Sequence, residues 1–232
     1  MKAYELFKRL FDFLLALVIF VVILPFFALI SLLIIIESPG PVFFKQKRVG
    51  KNKNLFYILK FRTMRKETPG DVATHLLNNP TQYITKVGRL LRKFSIDEVP
   101  QLINILKGEM SFIGPRPALW NQFDLIELRD KYGANNVLPG LTGLAQIKGR
   151  DELPLEEKAC YDGLYSKNLS LLQDLKIFLI TPFVVLTARG FSDNHGKKEK
   201  TQYHNYRKPM MLTSANKPII LLFISSIRKM FL

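Results

Sequence analysis

A run of residues without a single charge, from Phe13 to Ile36, constrains this chain more than any other feature. About 20 consecutive apolar residues are enough for a helix to cross a bilayer. No small-residue cleavage site follows the run, and the run is longer than the apolar core of a signal peptide. The sequence therefore predicts a membrane segment that the chain retains.

Pro25 and the flanking charges argue against a simple transmembrane span. Pro25 stands in the middle of the run, where it removes a backbone hydrogen bond and clashes with the preceding turn, so we expect a break or kink there. Both flanks are basic, with Lys2, Lys8 and Arg9 before the run and Lys45, Lys47, Arg48, Lys51 and Lys53 after it. The positive-inside rule places such charge on the cytoplasmic face. A re-entrant helix that enters one leaflet and returns places both basic flanks on the cytoplasmic face. A kinked span is an equal alternative.

Composition narrows the classes of partner. The chain has 232 residues, enough for one domain of ordinary size with appendages. Its net charge of +15 predicts attraction to polyanions, which are nucleic acid, anionic lipid or phosphorylated substrates. The single cysteine, Cys160, excludes an internal disulfide and suits a reducing compartment. Three scattered histidines argue against a zinc site; they are His75, His195 and His204.

The segments after the membrane run predict a short β-hairpin. Aromatic and β-branched residues fill PVFFKQKRVG and NLFYILKFRTM, on either side of a turn-rich link. Lys60 and Arg62 are two positions apart, so they share one face of the second strand. A solvated strand face is the ordinary explanation for such charges. Residues 64 to 87 follow as a loop with short helical pieces.

Two adjacent carboxylates, Asp97 and Glu98, are the centre of the most informative stretch. Apolar residues after them recur with helical spacing, at Val99, Leu102, Ile103 and Leu106, and Gly108 suits the end of that helix. With Asp97 or Ser95 as the N-cap, the carboxylate faces the positive end of the helix dipole and is held ionised. An ionised carboxylate among cations can be a nucleophile or a metal ligand, but local physics alone favours a cap.

The rest of the chain predicts two more helices, one membrane-proximal apolar helix and a tail. Residues 121–136 and 155–168 have helical patterns, whereas residues 137–154 are turn-rich and irregular. Residues 169–190 are apolar but contain Asp174 and Lys176, which favours a core or surface-lying helix over a span. The tail from 191 is basic and ends in an apolar segment suited to a membrane interface.

Five blocks, read together, resemble the bacterial sugar transferases, the small monotopic phosphoglycosyl transferases. The blocks are KRLFDFLLALVIFVVILP, KFRTM, FSIDEVPQLINILKGEMSFIGPRP, PGLTGLAQIKGR and YSKNLSLLQDLKIF, which cover most of residues 6 to 190 in order. The run around Asp97 is far more specific to that family than any short motif. The resemblance implies an α/β, mostly helical fold with a re-entrant membrane helix at 1–38, a cytoplasmic catalytic domain at 39–190 and a tail at 191–232.

The resemblance also implies an activity. Such enzymes move a sugar phosphate from a UDP-sugar to polyprenyl (undecaprenyl) phosphate and release UMP, with Mg²⁺ as cofactor. They act at the cytoplasmic face of the bacterial inner membrane, where the basic surface here suits anionic lipid. The reaction is the first membrane step of glycoconjugate synthesis. Nucleic acid is not an expected partner, and a homodimer is left open.

Site residues are carried over by position in these motifs. By resemblance Asp97 is the nucleophile that forms a covalent phosphosugar intermediate. Glu98 orients or activates it, and both carboxylates are candidate magnesium ligands. Arg116, Arg92, Lys60 and Arg62 are assigned to phosphate contacts, in that order of preference. Asp174 matches a family aspartate, and a structural ion pair competes with a substrate role.

Departures from the family pattern and three alternatives stay open. Leu24 precedes Pro25 where well-known members have serine, and Leu138 replaces an arginine often found before the Pro-Gly pair. The segment after Gly114-Pro115-Arg116-Pro117, the GPRP turn, differs from the corresponding segment of the best-known small members and bears on the choice of sugar. The alternatives are a non-catalytic, membrane-anchored binding or regulatory protein, a nucleic-acid-binding module, and the same transfer by direct attack in a ternary complex.

Overall fold

A computed structural model describes residues 2–68, 82–149 and 152–186. Within these ranges the chain is mostly helical with two small sheets, which confirms the mostly helical α/β part of the predicted fold class. The predicted tail at 191–232 and the centre of the 64–87 loop lie outside the described residues. The elements in order are α1 (Lys2–Glu37), β1 (Phe43–Val49), β2 (Leu55–Phe61), α2 (Lys86–Lys93), α3 (Gln101–Lys107), β3 (Ser111–Ile113), α4 (Phe123–Tyr132), β4 (Gly140–Thr142), α5 (Leu144–Lys148), α6 (Leu155–Lys167) and α7 (Leu171–Leu186).

The predicted hairpin is confirmed. Strands β1 and β2 pair antiparallel with Phe43 opposite Phe61 and Val49 opposite Leu55. The link between them turns through Asn52 and Lys53, both with positive φ, so the chain reverses within a few residues. The hairpin contributes to two hydrophobic clusters. Phe56 and Ile58 belong to the first cluster, and Phe61 belongs to the second.

Sequence patterns missed the second sheet. Strand β3 pairs in parallel with β4, with Ser111 opposite Gly140 and Ile113 opposite Thr142. The prediction of irregular structure over residues 137–154 is therefore wrong at β4 and at the short helix α5. A strand of three residues that begins with glycine carries no alternating pattern, so its pairing is set by the tertiary contact alone.

Helix α1 is continuous from Lys2 to Glu37, with Pro25 inside it. The expected break at Pro25 is not present, and the chain remains helical through the proline. One side of α1 packs on the two clusters through Ala16, Phe27 and Ile34. The opposite side is apolar and exposed along the whole length; Leu6, Leu10, Val18, Val22, Phe26 and Ile36 are examples, each more than half exposed. By length and composition, α1 is the one helix among the described residues that could cross a membrane.

The adjacent carboxylates Asp97 and Glu98, referred to below as the dyad, lie in a 3₁₀ turn, Ile96–Glu98, between α2 and α3. The predicted capping role of Asp97 is wrong, because α3 begins only at Gln101 and Pro100 occupies its N-cap position. Ser95, in the left-handed conformation with φ 55°, ends the run of α2 and redirects the chain into the turn. The predicted end of α3 is confirmed, since Gly108 adopts φ 84° as a left-handed C-cap.

Helices α4, α6 and α7 confirm the predictions for the C-terminal half. Helix α4 ends at Gly133, with φ 75°, as its sequence predicts. A buried ion pair joins α4 to α6, with Arg129 Nη2 2.6 Å from Asp162 Oδ2. Helix α7 is apolar and lies at the surface, with Leu172 and Phe183 among its exposed side chains, while Ile177 and Asp174 face inward.

Candidate active site

Glu98 holds two cations from distant parts of the chain. Its Oε1 lies 2.6 Å from Lys60 Nζ at the end of β2 and 2.8 Å from Arg116 Nη2 in the GPRP turn. Arg116 Nη1 lies 3.4 Å from Oε2, so the guanidinium meets both oxygens of the carboxylate. The Glu98 and Lys60 side chains are 15% and 16% exposed, whereas Arg116 is 44% exposed and can turn toward a ligand.

The pKa values of the adjacent carboxylates Asp97 and Glu98 shift in opposite directions. Burial alone would raise the pKa of Glu98, but the Arg116 guanidinium and the Lys60 ammonium hold it well below its usual range. Burial raises the pKa of Asp97 to about 6; the Lys60 charge opposes this rise and the neighbouring Glu98 charge adds to it. Asp97 is 9% exposed. At neutral pH the site therefore contains one firmly ionised carboxylate and one ionised carboxylate that is poorly solvated, which is the condition of a reactive nucleophile.

Asn104 fixes the strand that carries Lys60. Its side-chain amide accepts from the Leu59 N–H at 3.0 Å and donates to the Tyr57 carbonyl at 2.8 Å. These are the backbone hydrogen bonds that a neighbouring strand would otherwise make with β2. The same amide nitrogen lies 2.7 Å from Glu109 Oε2. Asn104 is fully buried in α3, directly after the dyad. Sequence reasoning missed this residue, because position 104 lies outside the apolar spacing of the helix and no local pattern marks it.

Close backbone contacts fix the turn that carries Arg116. Gly114 N donates to the Thr142 carbonyl at 2.8 Å, and Gly140 N donates to the Pro115 carbonyl at 2.9 Å. A Cβ at Gly140 would lie 2.0 Å from Gly114 N, and one at Gly143 would lie 2.1 Å from Gly114 O. The glycines of PGLTG thus serve the GPRP turn, a relationship between two motifs that neither motif shows on its own.

Strand β1 holds the other side of the same turn. Arg48 Nη1 donates to the Pro117 carbonyl at 2.9 Å. Val49 N donates to the Ala118 carbonyl, also at 2.9 Å. Backbone contacts from β4 and β1 therefore flank Arg116, and Pro115 and Pro117 restrict its own backbone. The backbone of Arg116 is therefore fixed before any ligand binds, while its exposed side chain can still turn.

The structure divides the other predicted cations. Arg92, in the last turn of α2, contributes to the electrostatic field at Asp97, and its Nη1 lies 3.9 Å from Met64 Sδ. Arg62 is buried, 6% exposed, and donates to the Ser38 carbonyl just past the end of α1. The predicted shared strand face is wrong, because β2 ends at Phe61: Lys60 lies in β2 and contacts the dyad, whereas Arg62 follows the strand and contacts the backbone at Ser38.

Asp174 lies in a buried network at the base of α1. Its Oδ2 lies 2.5 Å from Lys8 Nζ and 2.7 Å from the Tyr4 hydroxyl. Its Oδ1 lies 2.8 Å from the Tyr165 hydroxyl, which is also 3.0 Å from the Ile113 carbonyl. These contacts join α1, α6, α7 and β3, so they favour the structural ion pair over the substrate role.

The donor set can accept a magnesium ion only together with a ligand. No group of three or more His, Cys, Asp or Glu side chains suited to a metal occurs within the described ranges. Asp97 and Glu98 supply two carboxylates, and Glu98 Oε2 is left with the longer of the two Arg116 contacts. Mg²⁺ is commonly held by one or two carboxylates with water and substrate phosphate, so these residues fit it.

Comparison with known proteins decides the family. The family model described as bacterial sugar transferase matches residues 3–188, which include every element described above except the first residue of α1. This chain belongs to the bacterial sugar transferases. The match covers α1 as well as the dyad turn, so the long apolar helix and the candidate site both lie within the region that matches the family.

Relatives in this family carry different sugar names at similar identity. The exopolysaccharide production protein ExoY of Sinorhizobium fredii is 36% identical over 79% of this chain and 87% of that protein. The UDP-glucose:undecaprenyl-phosphate glucose-1-phosphate transferase of Caulobacter vibrioides is 41% identical over 80% of this chain and 72% of that protein. An N-acetylgalactosamine counterpart, the UDP-N-acetylgalactosamine-undecaprenyl-phosphate N-acetylgalactosaminephosphotransferase of Aeromonas hydrophila, is 38% identical over 81% of this chain and 45% of that protein. Overall identity therefore does not identify the sugar.

Proposed function

We propose that this bacterial sugar transferase moves a sugar 1-phosphate from a UDP-sugar to undecaprenyl phosphate and releases UMP. The observation that carries the proposal is the arrangement of Asp97 beside a Glu98 already paired with Lys60 and Arg116. Relatives of this chain are named for that transfer, and the site supplies its chemical requirements. These are a carboxylate nucleophile and fixed cations for the phosphate charge.

We place the nucleophile at Asp97 and the orienting role at Glu98. A carboxylate oxygen of Asp97 attacks the sugar-bearing phosphorus, and the bond from that phosphorus to the UMP oxygen breaks. A phosphate oxygen of the lipid then attacks the same phosphorus, and breakage of the bond to Asp97 restores the carboxylate. Burial raises the pKa of Asp97, and the charges of Lys60 and Arg116 are close enough to oppose that rise, so they also stabilise negative charge that builds on the phosphoryl oxygens.

Mg²⁺, when bound, supplies charge neutralisation and orients the diphosphate oxygens. Asp97 and Glu98 are the residues that would hold it. Glu98 keeps Arg116 and Lys60 beside the reaction centre, and Arg92 adds positive charge from α2. Arg62 remains a proposed cation of the phosphate site, with the end of α1 as its contact in the absence of substrate.

The contacts of α1 support a helix that enters one leaflet and returns, and because α1 stays helical through Pro25, we propose that the return is a bend within the helix at that proline. Near its start, Tyr4 and Lys8 bond to Asp174, and at its end Glu37 accepts from the backbone of α2. Both ends therefore bond to the same catalytic body, which is the condition that a re-entrant helix meets and a spanning helix does not. Exposed leucines and phenylalanines on α7 provide a second apolar surface. We place this surface in the cytoplasmic leaflet of the inner membrane, beside anionic lipid, where the lipid phosphate lies.

The decisive experiment measures UMP release by the purified protein. A panel of UDP-sugars is incubated with Mg²⁺, undecaprenyl phosphate and the full chain in lipid nanodiscs. We expect release with at least one sugar and none from Asp97→Asn. A folded protein that is silent across the panel would overturn the proposal and favour a membrane-anchored binding protein.

A second experiment separates the covalent route from direct attack in a ternary complex. The chain is mixed with the active UDP-sugar and Mg²⁺ but no lipid phosphate, and its intact mass is measured after rapid quench. The covalent route predicts a mass gain of one sugar phosphate together with a burst of UMP. Direct attack predicts neither, although turnover with the lipid phosphate would remain.

A further inference from the structure

The C-terminal end of the membrane helix caps the helix that precedes the dyad. Glu37 Oε1 lies 2.5 Å from the Lys86 N–H nitrogen, and Oε2 lies 2.8 Å from that of Val87. These are the first two amides of α2, and the Thr85 hydroxyl accepts from the third, Gly88 N, at 2.9 Å. The carboxylate therefore satisfies donors that a helix N-terminus leaves without partners, and its charge suits the dipole there.

The N-terminal end of the same membrane helix caps the helix that follows the dyad. Arg9 Nη1 lies 2.5 Å from the Ile105 carbonyl oxygen, and Nη2 lies 3.0 Å from that of Leu106. These carbonyls belong to the last turn of α3. The guanidinium also covers Gly108, where a Cβ would come within 2.9 Å of Nη2. A cation at a helix C-terminus is again the favourable charge.

Between these two caps the dyad segment runs antiparallel along α1. Leu91 of α2 packs in one cluster with Phe27 and Ile34, whereas Leu102 and Ile105 of α3 pack in the other cluster with Ala16. Val99, directly after the dyad, borders both clusters. The dyad turn is thus the middle of a segment whose two ends are fixed by one rigid helix.

We infer that Glu37 and Arg9 are positioning residues for the reaction. By capping α2 and α3 from the two ends of α1, they set the distance and angle between those helices, and so the place of the Asp97 and Glu98 carboxylates at the turn between them. The inference rests on the proposed function for its catalytic consequence. It also couples the seating of α1 in the bilayer to the geometry of the nucleophile, although neither residue touches the dyad.

Glu37→Gln is the sharpest test. The amide keeps one acceptor oxygen and the size of the side chain, but it loses the charge and the second acceptor. Glu5→Gln is the matched control, because Glu5 lies on the same helix and, among the residues that the structure describes, bonds to the side chain of Lys51 alone, at 3.0 Å with both groups more than a third exposed. Both variants and the wild type are compared in nanodiscs with the active UDP-sugar.

A positioning role predicts a separation of kinetic constants. A displacement of about 1 Å at a reacting group can cost on the order of 100-fold in rate, so we expect Glu37→Gln to lower kcat by about 10-fold or more. The KM for the UDP-sugar should change by no more than about twofold, since the substrate cations are untouched. Glu5→Gln should match the wild type in both constants. A Glu37→Gln enzyme with wild-type kcat would overturn the inference.

Hydrogen exchange tests the same inference without any substrate. Loss of the cap should speed amide exchange at Lys86 and Val87 and also across residues 95–99, the dyad turn. Faster exchange confined to the first turn of α2 would show an ordinary cap and overturn the positioning role. If Glu37→Gln lowers the yield of folded protein, Arg9→Lys replaces it, because lysine keeps the charge at α3 and loses the paired donors. An inactive wild type would refute the proposed function, while the exchange result would still decide this inference.

Discussion

Lys60 Nζ and Glu98 Oε1 lie 2.6 Å apart although 38 positions separate the two residues in the chain. The contact joins the end of β2 to the dyad turn, and both side chains are largely buried. An ion pair in such a position holds the site in shape, and it also leaves a buried charge without a partner when either residue is replaced. Much of the expected behaviour of this enzyme follows from that pair.

Glu98→Gln should destabilise the protein by about 2 to 4 kcal/mol, because the partly buried Lys60 ammonium then lacks its carboxylate. Lys60→Met should cost less, and the double variant should recover part of the loss. Chemical unfolding of all four proteins in detergent gives the coupling free energy. The exposed Lys53 and Asp130 pair, 55% and 43% exposed, is the control cycle and should show about 0 to 1 kcal/mol. Equal coupling in both cycles would contradict the structural role of the Lys60 contact.

Asp97→Asn should remove turnover and yet stabilise the fold. Burial raises the pKa of Asp97 from 3.8 to about 6, so the folded state prefers the protonated form and is penalised once the group ionises. The penalty is absent below about pH 4, grows up to about pH 6 and is complete above it. At pH 7.5 we expect a gain of about 1 to 3 kcal/mol in the unfolding free energy of the variant. A gain that does not depend on pH would show that ionisation of Asp97 is not its source.

The rate should fall on the acid side near pH 6, where Asp97 becomes protonated and loses its nucleophilic lone pair. Lys60 and Arg92 both oppose the raised pKa, and Lys60 has the larger effect. Residual adduct formation in Lys60→Met should therefore show an acid limb at higher pH than wild type, with a smaller upward shift in Arg92→Gln. Rapid-quench mass spectrometry across pH 5 to 8 measures both limbs. The reverse order of shifts would place another group in the nucleophilic role.

Asp174→Asn should weaken the fold and spare the chemistry. The change leaves Lys8 without its partner in a site where the two side chains are 13% and 8% exposed, and a loss of about 3 kcal/mol is expected. The KM and kcat of the folded fraction should stay within about twofold of wild type. Asp130→Asn, at the exposed Lys53 pair, is the control for stability. A selective rise in KM would instead favour a substrate role for Asp174.

Gly140→Ala should displace the turn that carries Arg116, because the added Cβ would overlap the Gly114 backbone. Overpacking of this kind costs about 1 to 3 kcal/mol or more, and the activity should fall beyond what the lost stability explains. Gly133→Asn is the control. Its position has φ 75°, which asparagine tolerates, and its nearest neighbour would lie 3.8 Å from the new Cβ. Both are compared by thermal unfolding and by UMP release at a temperature where each protein is folded.

Local patterns predicted the elements that carry their own periodicity. The uncharged run gave α1, the alternating aromatics gave the hairpin, and Gly108 and Gly133 marked the ends of two helices. Patterns failed where a residue acts through a distant partner. Asp97 resembles a cap in sequence, but Ser95 and Pro100 place it in a separate 3₁₀ turn. Strand β4 exists only because three glycines allow its backbone to meet the GPRP turn.

The residues of the candidate site were predictable by resemblance. The residues that hold them in position were not. Motif positions identified Asp97, Glu98, Lys60 and Arg116 before any distance was known. The same motifs placed Arg62 beside Lys60 in the phosphate site. In the structure the Arg62 guanidinium instead donates to the Ser38 carbonyl, just past the end of α1. Asn104 and Glu37 carry no chemical signature, because each bonds to backbone atoms whose position depends on the whole fold. Such roles follow from tertiary contacts and not from residue type.

The long-range contacts of α1 also set an order of events during synthesis. Lys8 leaves the ribosome 166 residues before Asp174, and Glu37 precedes Val87 by 50 residues. At the ordinary pace of about 5 to 20 residues per second, α1 waits for seconds before its partners exist. During that interval the exposed apolar side of α1 is available to lipid. We therefore expect the catalytic domain to complete its fold on a helix already seated at a membrane, so that newly made enzyme becomes active where its proposed lipid substrate is found.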